Sequence, residues 1–275
     1  MNFNRMKKFF LLFFLMLSFS GFHGGLFSPG GAIALEERNL IFLSFAIMLI
    51  IVVPVIVMTI FFSYRYYHVF KNKEYNPTWD HSYKIEGLTW GIPILIIFFL
   101  GILSWKKTHS LDPSKSLSQK KDLMKINVIS ANWKWIFIYP KEKIIVLNEV
   151  FLPKNIPINF NITSTSVMNS FFIPSLGSQI YSMPGMTTKL HLIANISGFY
   201  KGFSANYSGE GFSDMKFNAI VSDNQNFYYA WVNKVKKVGK KILNSKDLND
   251  LYKNNHVKYL YFTDGQLIKN FFMHN

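Results

Sequence analysis

The chain has 275 residues, 49% of them hydrophobic and 17% aromatic, with a formal net charge of +15. That is too apolar for disorder and long enough for a membrane part plus one soluble domain. The lack of any cysteine excludes disulfides, thiolate metal ligands, c-type haem attachment and cysteine nucleophiles, and the lysines follow no nucleic-acid motif, so nucleic acid is not an expected partner.

Residues 1–21 place Arg5, Lys7 and Lys8 ahead of an apolar run, the layout of a secretory signal. The stretch "LSFSGF" has the form of a lipoprotein box, but Phe22 stands where the lipidated cysteine belongs, so no acyl anchor forms there. The segment is either cut by ordinary signal peptidase or retained as a short extra span. Residues 22–38, containing "GGLFSPGGA", read as a periplasmic linker. Residues 39–105 then read as a two-helix transmembrane hairpin. Asn39 to Ser63 carries no charge, and at about 1.5 Å per residue it crosses a hydrocarbon core of about 30 Å, with Pro54 tolerated as a kink. Gly87 to Ser104 is a second charge-free run, with Trp90 and Trp105 near its ends as interfacial aromatics. Arg65, Lys71, Lys73 and Lys84 mark the connecting loop as the cytoplasmic side.

The pattern changes near Lys125. "KINVISANWKWIFIY", "KIIVLNEVFLP", "PINFNITS", "TTKLHLIAN" and "KFNAIVSD" are short, β-branched or aromatic, and punctuated by Pro and Gly. Residues 106–223 therefore predict a periplasmic all-β sandwich or small barrel. Trp133 and Trp135, separated by Lys134, are expected to share one strand face and to serve packing. Residues 224–275 turn helical and end in an irregular aromatic tail, giving a helical C-terminal extension. His191 reads as an ordinary strand residue, and His81 and His109 as interfacial residues; the seven histidines show no metal-binding spacing.

Four stretches carry a resemblance. "HSYKIEGLTWGIPILIIFF", "WKWIFIYP", "TSTSVMNSFFIPSLGSQIYSMPGM" and "GFYKGFSANYSGEGFSDMKF" resemble, in this order, the second span, the aromatic strand, the strand-and-turn signature and the metal loop of subunit II of the haem-copper respiratory oxidases. Within that family the chain most resembles the cytochrome bo-type ubiquinol oxidase branch. The resemblance implies a membrane α plus all-β architecture: a two-helix hairpin followed by a cupredoxin-like β-sandwich.

Where copper-carrying members place an upstream His and a loop of Cys, Glu, Cys, His and Met, this chain has Asn169, Ser204, Asn206, Ser208 and Phe212, and retains only Met215. Hydroxyls and a phenyl ring do not replace thiolates and imidazoles. The implied chain therefore holds no cofactor and no dinuclear copper centre. Its implied role is that of a non-catalytic structural subunit of a proton-pumping quinol oxidase, with haems and copper in partner subunit I. Subunits III and IV, membrane lipid, and ubiquinol reached through subunit I complete the implied partners, in a bacterial inner membrane. Glu86 corresponds to a family carboxylate at the proton entry of subunit I; by position alone it is a helix-start carboxylate beside a favourable dipole. Two alternatives stand beside this reading: a copper-carrying cytochrome c oxidase subunit II, and a membrane-anchored β-domain binding module.

Overall fold

The computed structural model describes residues 25–67, 81–117, 123–244, 247–248, 251 and 258–273, so the signal-like segment 1–21 lies outside the described residues. The chain divides into two compact units, one of residues 36–115 and one formed by the remainder.

The first unit is a helical pair, α1 (Ala32–Arg65) and α2 (Tyr83–Ser110), both long and apolar enough to cross a membrane. At 34 and 28 residues they run to roughly 51 and 42 Å at 1.5 Å per residue. Both overrun the hairpin limits of 39 and 105. The reason is local: the charged residues of "ALEER" and "WKKTH" are Glu, Arg and Lys, which are good helix formers, so charge ends the apolar run without ending the helix. Glu36 and Lys107 on these extensions form an ion pair at 2.6 Å that joins the two helices.

The second unit is a two-sheet sandwich. Its strands are β1 (Met124–Ala131), β2 (Lys134–Tyr139), β3 (Ile144–Leu147), β4 (Glu149–Pro153), β5 (Pro157–Ser164), β6 (Asn169–Ile173), β7 (Gly177–Ser182), β8 (Thr188–Ile193), β9 (Gly198–Ser204) and β10 (Lys216–Ser222). They are followed by helix α3 (Gln225–Val238), β11 (Lys240–Ile242), β12 (Tyr259–Phe262) and helix α4 (Gly265–Met273). One sheet has the order β11-β12-β3-β2-β1-β5-β8 and the other β4-β10-β9-β6-β7. The pairs β1/β5 and β4/β10 are parallel and hold the crossovers of the sandwich.

Alternation along β2 explains the layering. Trp135, Phe137 and Tyr139 face the space between the sheets, where Phe171 and Phe217 stack at 5.0 Å and the Trp135 ring meets Phe171 edge-on at 5.3 Å. Ile136 and Ile138 face the other way, into a second cluster with Ile129, Ile145, Leu251 and Leu260. A strand buried on both faces reads as a continuous apolar run, and "WIFIY" and "IIVL" are such runs.

Two expectations change. The extension 224–275 is not simply helical, because β11 and β12 join the larger sheet and β12 pairs antiparallel with β3. Nor is the stretch before α1 a free linker. Gly30 donates its N–H to Ser175 O at 2.6 Å, Asn195 donates back to Gly30 O at 2.8 Å, and Ile33 and Ala34 are buried. Gly177, at φ +134°, lies so close to Ile33 that an added Cβ would clash with its side chain.

Helix α3 begins at Asn224, whose side-chain oxygen accepts from Phe227 N at 3.0 Å. It buries Tyr228, Val232 and Val235 and stacks Trp231 on Phe151 at 4.8 Å. The Tyr139 hydroxyl, held well above its ordinary pKa by burial, donates to Phe151 O and accepts from Phe151 N at 2.8 Å. This ties β2 to β4 directly beneath the helix.

Candidate functional site: the loop between β9 and β10

The candidate site is built from three elements: the start of β6, the end of β9, and the loop that leads through a 3-10 turn (Phe212–Asp214) into β10. β6 and β9 pair through Phe171 and Ser204, which brings Asn169 beside Ser204 although they are far apart in sequence. Asn169 and Ser204 are both buried.

Their side chains bond to each other. Ser204 Oγ donates to Asn169 Oδ1 at 3.0 Å, or to Asn206 O at 3.1 Å, and accepts from Ser170 N at 3.3 Å. Asn206 Nδ2 donates to Met168 O at 3.2 Å and so straps the loop to the turn before β6. Ser208 Oγ is buried and has no hydrogen-bond partner among the described residues. Phe212 packs its ring against Tyr207 at 5.5 Å.

Met215 is buried, and its carbonyl rather than its sulfur is the anchored atom, accepting from Ser204 N at 2.9 Å and from Trp135 Nε1 at 3.4 Å. The five substituted positions and Met215 thus share one corner of the sandwich. Their donor atoms are hydroxyl and carboxamide oxygens plus one thioether, which does not fit the thiolate-and-imidazole set that a dinuclear copper centre needs. Among the described residues, no three His, Cys, Asp or Glu side chains gather into a metal-binding group.

Trp133 and Trp135 part company. Trp135 is buried in the inter-sheet core, but Trp133 lies in the β1–β2 turn with φ 62° and is 38% exposed. Its indole covers Gly211 so closely that a Cβ there would fall 2.2 Å from the ring. The turn precedes β2, so strand alternation does not apply to Trp133, and the two rings do not share a face.

Glu86 occupies the first turn of α2, where its N–H closes the helix onto Ser82 O at 2.9 Å. His191 is buried in β8, opposite Asn159 in the register with β5; His81 precedes α2 and His109 lies in its last turn.

Sequence reasoning missed the polar links from the extension to the sandwich. Glu149, at the start of β4, is buried; it pairs with Lys258 at 2.5 Å and accepts from the Tyr259 hydroxyl at 2.9 Å. Lys134, on the outward face of β2, is buried and donates to Leu251 O at 3.1 Å, and desolvation pulls its pKa down. The one available signal was "KYLYF", an alternating aromatic run at 258–262 suited to a strand.

The family description "Cytochrome C oxidase subunit II, periplasmic domain" matches residues 140–223. Joined to two membrane-length helices, this defines the class: a membrane-anchored, cupredoxin-like subunit of a respiratory oxidase. The chain is 51% identical to the cytochrome bo(3) ubiquinol oxidase subunit 2 of Buchnera aphidicola subsp. Baizongia pistaciae, over 94% of this chain and 93% of that relative. It is 47% identical to the subunit of the same name from Buchnera aphidicola subsp. Schizaphis graminum, over 96% and 91% of the two chains. With the ubiquinol oxidase subunit 2 of Acetobacter aceti, identity is 49% over 76% and 68%. The chain belongs to the subunit II family of cytochrome bo-type ubiquinol oxidases, within the haem-copper oxidases, and is a subunit of that multi-subunit enzyme.

Proposed function

We propose that this subunit works without a metal of its own, as a structural, non-catalytic part of a proton-pumping terminal quinol oxidase. The observation that carries the reading is the Asn169–Ser204–Asn206 hydrogen-bond network at the positions where copper-carrying relatives place ligands. A hydroxyl engaged in three such contacts and a phenyl ring packed on Tyr207 offer soft copper nothing to hold. Ubiquinol delivers electrons from within the membrane, so no soluble copper relay is required. Haems and copper then reside in partner subunit I, where ubiquinol is oxidised and oxygen reduced to water. Subunits III and IV and membrane lipid complete the surroundings, and α1 and α2 are two passes through a bacterial inner membrane.

The purified full chain, incubated with copper and then desalted, is expected to retain no dinuclear copper and to show no near-infrared charge-transfer band. A purple sample with stoichiometric copper favours the copper-carrying cytochrome c oxidase reading. If the chain instead purifies with no haem-bearing partner from its own membrane, the β-domain binding module is the better description.

Glu86 is the proposed proton-entry residue of this chain. In the assembled oxidase, Glu86→Ala is expected to slow turnover and proton uptake while leaving haem content unchanged. Glu86→Asp should restore part of the rate, since the carboxylate remains at the helix start. Equal turnover of Glu86→Ala and the parent complex removes Glu86 from the mechanism.

A further inference from the structure

The outward side of α3 and the strand after it has no role in the architecture described so far. The helix turns Tyr228, Val232 and Val235 inward. Its other side shows Phe227, Tyr229 and Val238 at 62%, 55% and 68% exposure, and Leu243 just beyond β11 is 65% exposed. Among these stand Lys234, Lys236, Lys237, Lys240 and Lys241, five lysines in the eight residues 234–241, all exposed. Among the described residues none of the five lies within ion-pair distance of a carboxylate; the ion pairs found join Lys107 to Glu36 and Lys258 to Glu149.

The acidic groups facing this surface are few. Asp247 feels Lys240, but its carboxylate is engaged by Leu243 N at 2.9 Å and Asn244 N at 3.2 Å, and those backbone bonds hold its pKa below the ordinary value. Asp223 precedes the helix at its opposite end. Three of the lysines precede the C-terminus of α3, where the helix dipole favours cations, but this leaves their charge directed outward.

We infer that this face is a docking surface for anionic phospholipid. Protein interfaces are depleted in lysine and gather their apolar residues into a dry centre. Here aromatic and aliphatic side chains are interleaved with lysines around one helix end, the composition of segments that lie on a lipid surface, with rings at the headgroup level and ammonium groups on phosphates. The inference rests on the proposed reading of α1 and α2 as two passes through a membrane, which supplies such a surface to the same polypeptide.

The chain contains no cysteine, so Val238→Cys creates a single labelling site. The labelled full chain, with its partner subunits, is reconstituted in liposomes of phosphatidylcholine alone or with about one third phosphatidylglycerol. A polarity-sensitive fluorophore at the site is expected to shift to the blue in the anionic liposomes only, with acrylamide quenching reduced about threefold. Molar salt, or a variant with the five lysines changed to glutamine, returns both readings to the neutral-lipid values, because screening and charge removal act on the same attraction. A second label at Lys216→Cys, on β10, should show no lipid dependence.

Two results overturn the proposal. Equal, strong quenching in both lipids means the face stays in water. Equal protection in both lipids means another protein covers it. The salt series decides the matter even if the five-lysine variant fails to fold.

Discussion

Trp135→Ala is expected to lower the unfolding free energy of the β domain by about 3–5 kcal/mol, the usual cost of emptying a large aromatic site in a packed core. Trp135 is fully buried and meets Phe171 at 5.3 Å and Phe217 at 5.7 Å, so its cavity opens between the two sheets. The residue also donates Nε1 to Met215 O, the carbonyl at which the loop after β9 enters β10. The loss is therefore twofold: packing in the core, and one anchor of the loop. Against a total domain stability of about 5–15 kcal/mol, this is enough to bring the domain near its unfolding threshold. Near-ultraviolet circular dichroism of the detergent-solubilised chain during a thermal ramp would read it. Trp135→Phe should cost less than half as much, because the ring contacts persist and only the indole edge and its N–H are lost. Equal costs for the two variants would mean that the loop anchor, and not the ring stack, carries the stability.

The second large effect concerns the link between the extension and the sandwich. Lys258→Ala combined with Tyr259→Phe removes both partners of Glu149 and leaves a buried carboxylate with neither its cation nor its hydroxyl donor. The expected cost is about 2–4 kcal/mol, set below the range for fully buried pairs because water reaches the lysine side of this one. It should appear as faster proteolysis within residues 224–275 and faster hydrogen exchange in β3, the strand that β12 covers. Adding Glu149→Leu to the double variant should recover most of the loss, since no charge then remains to be buried. If the triple variant is no more stable than the double, the polar link is incidental and the apolar cluster alone holds the extension. The pH dependence follows from the hydrogen bond to Glu149, which raises the Lys258 pKa above its ordinary 10.5. A base whose folded pKa is raised contributes fully below the ordinary value and loses that contribution as pH rises through the folded one. The extension is thus expected to loosen first on the alkaline side.

The chain's buried Tyr139 makes the same region resistant to partial opening. Its hydroxyl closes a two-way bond with the backbone of Phe151, and Trp231 from α3 packs edge-on against its ring at 5.5 Å. Sheet, helix and extension therefore meet around β2, β3 and β4, and variants at these strands should behave as one cooperative unit rather than as separate local defects.

From its residues alone the sequence reveals two apolar runs of membrane length, a β domain, and loop positions 169, 204, 206, 208 and 212 without cysteine or histidine. Each depends on residues close together in the chain: a charge-free run long enough for a bilayer, short alternating strands between turns, and side chains with or without soft donor atoms at fixed loop positions. It also carried the family resemblance through the segment around Glu86 and the loop from Gly198 to Met215. Most of the remaining features arise from contacts between residues distant in sequence. The helix ends are the exception: they lie beyond the apolar runs for a local reason, since Glu, Arg and Lys stop an apolar run but not a helix. Trp133 left the face of Trp135 because the turn, with a positive φ, placed its ring on Gly211. The extension became part of the larger sheet because β12 found β3, more than one hundred residues earlier, and because Ile136, Ile138 and Ile145 present an apolar face that must be covered. A short strand such as Tyr259–Phe262 encodes its own alternation but not its partner; the uncovered face of the sheet chose it, through the free energy of removing that face from water.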